Sequence, residues 1–167
     1  VFIIDDQMQP LTDQLLAAIA KVSDQPIRFV INTHYHGDHV GGNEAIGKGG
    51  AVIIAHDNIR TRMSRDEFNH FWGKTTPAWP KESLPVVTFS DQVTLHLNGE
   101  PVTVTHVPNG HTDGDSIVFF PSSNVLHMGD IYFNGLYPYI DLDGGGGIQG
   151  MIAAVALGMS LADADTR

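Results

Sequence analysis

His34-Tyr35-His36-Gly37-Asp38-His39 places three imidazoles and a carboxylate within six residues. These are the donor types that hold zinc and similar divalent ions, at about 2.0–2.2 Å, and an ion held this way can drive hydrolysis. The apolar run Ile27-Arg28-Phe29-Val30-Ile31 stands directly before the cluster, and its β-branched and aromatic content reads as a buried strand. His34 and His36 leave the end of that strand two residues apart, so they point to the same side and can converge on one ion. Gly37 allows a sharp turn, after which Asp38 and His39 can reach a second ion beside the first.

Two later segments carry the same residue types. They are Asn109-Gly110-His111-Thr112-Asp113-Gly114-Asp115-Ser116 and Val125-Leu126-His127-Met128-Gly129-Asp130. His111 and Asp130 each sit in a Gly-containing loop at the end of a β-rich run, where a sheet protein gathers ligands. With these three segments in this order, the chain resembles the metallo-β-lactamase superfamily, and the resemblance runs from Val1 to Arg167. It implies an α/β fold, the αβ/βα four-layer sandwich, incomplete at both termini and forming one domain over residues 1–167.

The resemblance also implies a ligand set and an activity. His34, His36 and His111 would bind a first Zn2+ ion, Asp38 and His39 would contribute to a second, and Asp130 would bridge the two. The implied reaction is zinc-dependent hydrolysis, in which hydroxide on the metal attacks the carbonyl of a β-lactam, lactone or thioester. Asp38 would orient that nucleophile as well as bind metal. Asp130 stands where a class B1 β-lactamase has a cysteine ligand, which favours the broader hydrolase branches. Tyr132, Phe133, Tyr137 and Tyr139 follow Asp130 and either line a substrate groove or pack as ordinary aromatics. Asp113, Asp115 and His127 are candidates for supporting the ligands, or are simple turn and core residues.

One departure bears on the second ion. The family carries a last ligand histidine in a Gly-His-Gly type loop after its final helix, whereas this chain ends at Ala164-Asp165-Thr166-Arg167. The family's first strands are also missing before Val1. The expectation is a fragment of a longer enzyme, with a complete first site and a weaker second one. Two other readings follow. One is a mononuclear non-haem iron enzyme of the persulfide dioxygenase kind, since two histidines and a carboxylate suit iron(II). The presence of both Asp38 and His39 argues against it. The other is a metal-binding fragment without catalysis.

Composition narrows the remaining classes. The absence of cysteine removes disulfides and thiolate ligands, leaving nitrogen and oxygen donors. Nineteen acidic against nine basic residues give a net charge of −10, and no Lys/Arg cluster interrupts it. Such a surface repels a phosphate backbone, so nucleic acid is disfavoured and the expected partner is a small-molecule substrate. No apolar run approaches the ~20 residues of a membrane span. The chain opens inside an apparent strand without an initiator methionine, so a processed product, periplasmic or secreted if a signal peptide was removed, fits the opening. Nothing in the sequence sets the oligomeric state. No Ser-x-x-Lys or Gly-x-Ser-x-Gly motif supports a serine mechanism.

The elements that must position these residues can be read from periodicity. Leu11, Leu15, Ile19 and Val22 recur at helical spacing after Pro10, with Leu16 widening the face. Val40 to Ile46 predicts a short helix, Ala51 to Ala55 a buried strand, and Asp57 to Ser64 one or two helical turns. Strand and helix alternate, which argues for an α/β layer. From Arg65 to Pro85 the pattern breaks down among Phe68, Phe71, Trp72 and Trp79, as in a lid or in aromatics packed on a core. Five short β-runs follow (86–89, 93–97, 102–107, 116–120 and 124–128), with Asn98-Gly99 as a hairpin turn. Gly144 to Gly147 lacks the Gly-Lys-Ser/Thr ending of a phosphate cradle and reads as a turn before a helix at 151–161.

Overall fold

Parallel pairing organises the first half of the computed structural model, which describes residues 1–167. Two units divide at residue 88, Val1–Thr88 and Phe89–Arg167. In the first, β1 (Phe2–Ile4), β2 (Phe29–Ile31), β3 (Val52–His56) and β6 (Val87–Phe89) form one sheet in the order β1-β2-β3-β6. β1 and β3 both pair parallel to β2, with Ile4 opposite Ile31 and Ile31 opposite Ile54. Parallel strands connected by helices are covered on both faces, and Val30, Ile31, Ile53 and Ile54 are accordingly buried. Because β1 and β2 run the same way, both chains leave the sheet at the same end, which brings Asp5 beside Thr33.

The helices of this unit differ from the sequence expectation in two informative places. α1 spans Thr12–Ile19 behind a 3-10 turn, Gln9–Leu11, that contains Pro10. It stops before Val22, which is exposed, because Ser23, Asp24 and Pro26 offer turn chemistry and no further apolar face. The short helix expected over 40–46 is two helices, α2 (Gly37–Val40) and α3 (Asn43–Lys48). Gly41 and Gly42 separate them because backbone packs where side chains would be. A Cβ on Gly41 would lie 2.3 Å from the Gln9 nitrogen, and one on Gly42 would lie 2.8 Å from the Asp6 carbonyl oxygen.

α4 (Asp57–Met63) follows β3, with Ile59 and Met63 buried against Val40 and Ala55. The stretch from 65 to 85 contains a hairpin, β4 (Glu67–Asn69) and β5 (Lys74–Thr76), which forms its own two-stranded sheet. Strands this short leave no alternation to detect. Phe68, Phe71 and Trp72 are exposed, while Trp79 and Leu84 pack on the α4 cluster. The packing reading thus holds for Trp79 and not for Phe68, Phe71 and Trp72.

The second unit is an antiparallel meander. β7 (Gln92–Leu97), β8 (Glu100–His106), β9 (Ser116–Phe120) and β10 (Val125–His127) pair in the order β10-β9-β8-β7. Asn98 and Gly99 both have positive φ, 53° and 87°, as a two-residue primed hairpin turn requires. α5 (Ile148–Leu161) buries Met151 and Ala154 against Val107, Ile117 and Ile131. The same elements are those of the expected α/β class. No helix is long and apolar enough to cross a membrane.

Candidate metal centre

In the first unit the backbone leaves β2 through Asn32 and Thr33 and delivers His34 into a fully buried position. His34 Nε2 lies 3.1 Å from His36 Nδ1. Two donors about 2.0–2.1 Å from a tetrahedral ion are ~3.3 Å apart, so the two imidazoles stand at the spacing one ion needs. Asp38 and His39 occupy the first turn of α2. Gly37 therefore works differently from the expectation: it begins a helix, has no positive φ, and a Cβ there would meet only Trp79 at 3.8 Å. A helical turn reverses the chain without left-handed backbone. The ring of His39 lies 4.0 Å from that of His34, tilted by 50°, and its Nε2 lies 3.6 Å from Asp38 Oδ2.

One carboxylate outside the three motif segments, Asp5, orients two of these rings. Asp5 Oδ2 is 2.8 Å from His39 Nδ1, and a carboxylate only accepts, so this nitrogen carries the proton and Nε2 keeps its lone pair. Asp5 also accepts the Thr33 N–H and the Thr33 hydroxyl, each at 2.7 Å. With its proton committed to Asp5, Thr33 Oγ1 accepts from His34 Nδ1 at 3.1 Å, which leaves His34 Nε2 for metal. Asp5 adopts φ +56° to do this, an uncommon conformation for a residue with a Cβ. The sequence signal was present: a carboxylate at the end of the strand before the histidine strand, in a parallel sheet, must emerge beside it.

Behind the ring cluster lies a buried polar layer. Asn43 donates to Asn32 Oδ1 and to the Ser83 carbonyl, each at 2.9 Å, and Asn32 donates to the His39 carbonyl at 3.3 Å. Asp6 is fully buried and accepts the Gly42 N–H at 2.8 Å, while its Oδ2 has no hydrogen-bond partner. Burial pushes the Asp6 carboxyl up to about 7, a rise opposed by the Gly42 hydrogen bond and reinforced by the adjacent Asp5.

In the second unit His111 is buried and Asp130 partly exposed, with His111 Nε2 3.6 Å from Asp130 Oδ2. His111 Nδ1 donates to the Tyr139 carbonyl at 2.8 Å, again leaving Nε2 for metal. Asp115 accepts the Thr112 N–H and hydroxyl and so shapes the turn after His111, a supporting role. Asp130 sits in a 3-10 turn, Gly129–Ile131, preceded by the Gly129 N–H donating to His127 Nδ1 at 3.3 Å. Tyr132 and Tyr137 face solvent, 64% and 99% exposed. His56 caps α4 and His106 bonds the Asp115 carbonyl, in keeping with structural parts for both.

The donor chemistry in each unit fits a divalent ion. His34, His39 and His111 each commit Nδ1 to an oxygen and present Nε2, the usual arrangement around a ligating histidine.

The chain matches the family model described as the metallo-beta-lactamase superfamily over residues 7–162. It is 30% identical over 129 residues to a hydroxyacylglutathione hydrolase of Nitrosococcus oceani, covering 76% of this chain and 42% of that protein. It is 28% identical to a metal-dependent hydrolase of Thermus thermophilus, covering 71% and 56%. The chain thus spans about half the length of such relatives or less. Among solved structures, a metallo-beta-lactamase from Pontibacter korlensis superposes with TM-score 0.70 at 22% identity, over 93% of this chain and 66% of that one. A protein solved in a di-iron-bound form gives TM-score 0.72 at 24% identity, over 95% and 75%.

Proposed function

Because the chain belongs to the metallo-β-lactamase superfamily, we propose that it is the metal-binding part of a metal-dependent hydrolase acting on an activated carbonyl. The observation that carries this reading is the preparation of the imidazoles. Asp5 and Thr33 hold the Nδ1 sides of His34 and His39, so that Nε2 is the ligand atom of each ring. By the family's motifs, His34, His36 and His111 would hold one zinc ion, Asp38 and His39 would contribute to a second, and Asp130 would serve both. Bound zinc supplies Lewis acidity toward a carbonyl and a water that ionises near neutral pH. Asp38, whose side chain is 47% exposed, would orient the attacking water. Tyr132 and Tyr137 are solvated and available to a substrate.

A thioester is the first substrate to try. The relative named as a hydroxyacylglutathione hydrolase favours it, since an acyl group on the glutathione sulfur is a thioester. β-Lactams and lactones are the comparison substrates. The test combines elemental mass spectrometry of the purified chain with turnover of an acylglutathione, a γ-lactone and a chromogenic β-lactam. Turnover that a chelator abolishes and zinc restores is the expected result. A zinc-loaded chain inert toward all three would replace the proposal by the non-catalytic metal-binding reading. The solved neighbour in a di-iron-bound form is the reason to add iron: oxygen consumption with iron and a persulfide would favour the dioxygenase reading.

A further inference from the structure

The glycine-rich run before α5 takes on a definite task when its hydrogen bonds are traced. Tyr139 accepts from His111 Nδ1, and the Asp141 N–H donates to the His111 carbonyl at 2.9 Å. The Asp113 N–H donates to the Gly144 carbonyl at 2.9 Å, Asn109 Nδ2 to the Gly145 carbonyl at 2.8 Å, and the Gly147 N–H to the Gly110 carbonyl at 2.9 Å. Asp141 is buried and accepts the Gly144 N–H at 3.0 Å, while its own carbonyl accepts the Gly146 N–H at 2.8 Å. Residues 139–147 thus wrap the histidine loop from both sides.

The glycines are there because of that wrapping. A Cβ on Gly146 would lie 2.2 Å from the His111 carbonyl oxygen, and one on Gly150 would lie 1.9 Å from the Asn109 carbonyl oxygen. The obstacle in both cases is backbone, which cannot swing aside like a side chain. Within residues 139–147, Gly145 alone is in the left-handed region, at φ +78°. Gly135, also left-handed at +74°, has nothing within 4 Å of a Cβ position, so it offers a control for backbone strain without contact.

We infer that residues 139–147 form a strap that sets His111, with Tyr139, Asp141 and Gly146 as its positioning residues. The strap fixes the Nδ1–H tautomer before any metal arrives, which makes Nε2 the ligand atom. The inference rests on the reading of His111 as a metal ligand. Its first test needs no metal: a long-range proton–nitrogen NMR correlation on the metal-free protein at pH 8, with His111 assigned by comparison with His111→Gln. The expected signature is a proton on Nδ1; a proton on Nε2 would overturn the inference.

The second test compares Gly146→Ala, Asp141→Ala and Gly135→Ala. Asp141→Ala adds no atoms, so it remains informative if Gly146→Ala fails to fold. The first two should lose the Nδ1–H signature and bind cobalt(II) about 10–100-fold more weakly, with an altered visible cobalt spectrum; Gly135→Ala should change neither. Wild-type tautomer and wild-type cobalt affinity in both strap variants would overturn the strap. Loss of the tautomer with unchanged cobalt affinity would keep the strap and remove His111 from the ligand set, which separates the two failures.

Discussion

Asp5 and Asp6 are adjacent in sequence and do opposite work. Asp5 is an acceptor with every oxygen engaged by Thr33 and His39. Removing it as Asp5→Ala frees the rings of His34 and His39 at once, so zinc affinity should fall about 10–100-fold, as a chelator-competition titration would measure. Asp6 is a buried acid with one unpartnered oxygen and a pKa raised from 3.8 to about 7. The folded state therefore holds this proton more tightly than the unfolded chain does. Stability is highest when both states are protonated, falls as pH rises from about 4 to 7, and stays low above that window. The slope is at most about 1.4 kcal/mol per pH unit for one proton. Asp6→Asn keeps an acceptor for Gly42 and removes the titration. In denaturant titrations of the metal-free protein, the variant should show a flatter pH dependence and gain relative stability at pH 8. An unchanged slope between pH 4 and 7 would refute the assignment.

At the scale of elements, the strands carry the histidines and the loops aim them. Ile54 lies in the centre of the parallel sheet, paired with Ile31 and almost fully buried. Ile54→Ala should lower unfolding free energy by about 2–5 kcal/mol, read from equilibrium denaturation. Much of this layer was legible from sequence because Phe29–Ile31, Val52–His56 and the β7–β10 runs declare themselves by apolar and β-branched content. The histidine cluster was legible for the same reason, its spacing being local. What stayed hidden was non-local. Asp5 reaches Thr33 across 28 positions and Tyr139 reaches His111 across 28, and no pattern within one segment announces either pairing. The split between α2 and α3 was missed because it depends on the backbone at Gln7–Gln9 pressing on Gly41. The β4–β5 hairpin was missed because three-residue strands show no period.

At the scale of the whole molecule, bound metal and folding are linked. An ion that binds only the folded chain stabilises it by about 2.7 kcal/mol at one hundred times its dissociation constant. Adding a chelator to the zinc-loaded protein should lower the thermal midpoint, and adding zinc back should restore it. A midpoint indifferent to both would mean that the prepared imidazoles hold no ion under those conditions. The carboxylates outnumber the cations by ten, so the metal-free chain should also gain more from added salt than the loaded one, through weaker self-repulsion.

The β4–β5 hairpin has one more consequence. Its strands bond to each other and to no other sheet. It is fastened at its root, where Arg62 meets Glu67 at 3.2 Å with its guanidinium over the Tyr35 ring, and where Asp66 accepts the Ala78 N–H at 2.9 Å. Beyond those fastenings Phe68, Phe71 and Trp72 are exposed, the last two edge to face with each other. For a protein engineer this is a cassette: its sequence can be randomised or exchanged between the two root contacts while the sheet, the buried asparagines and the histidine cluster keep their own supports.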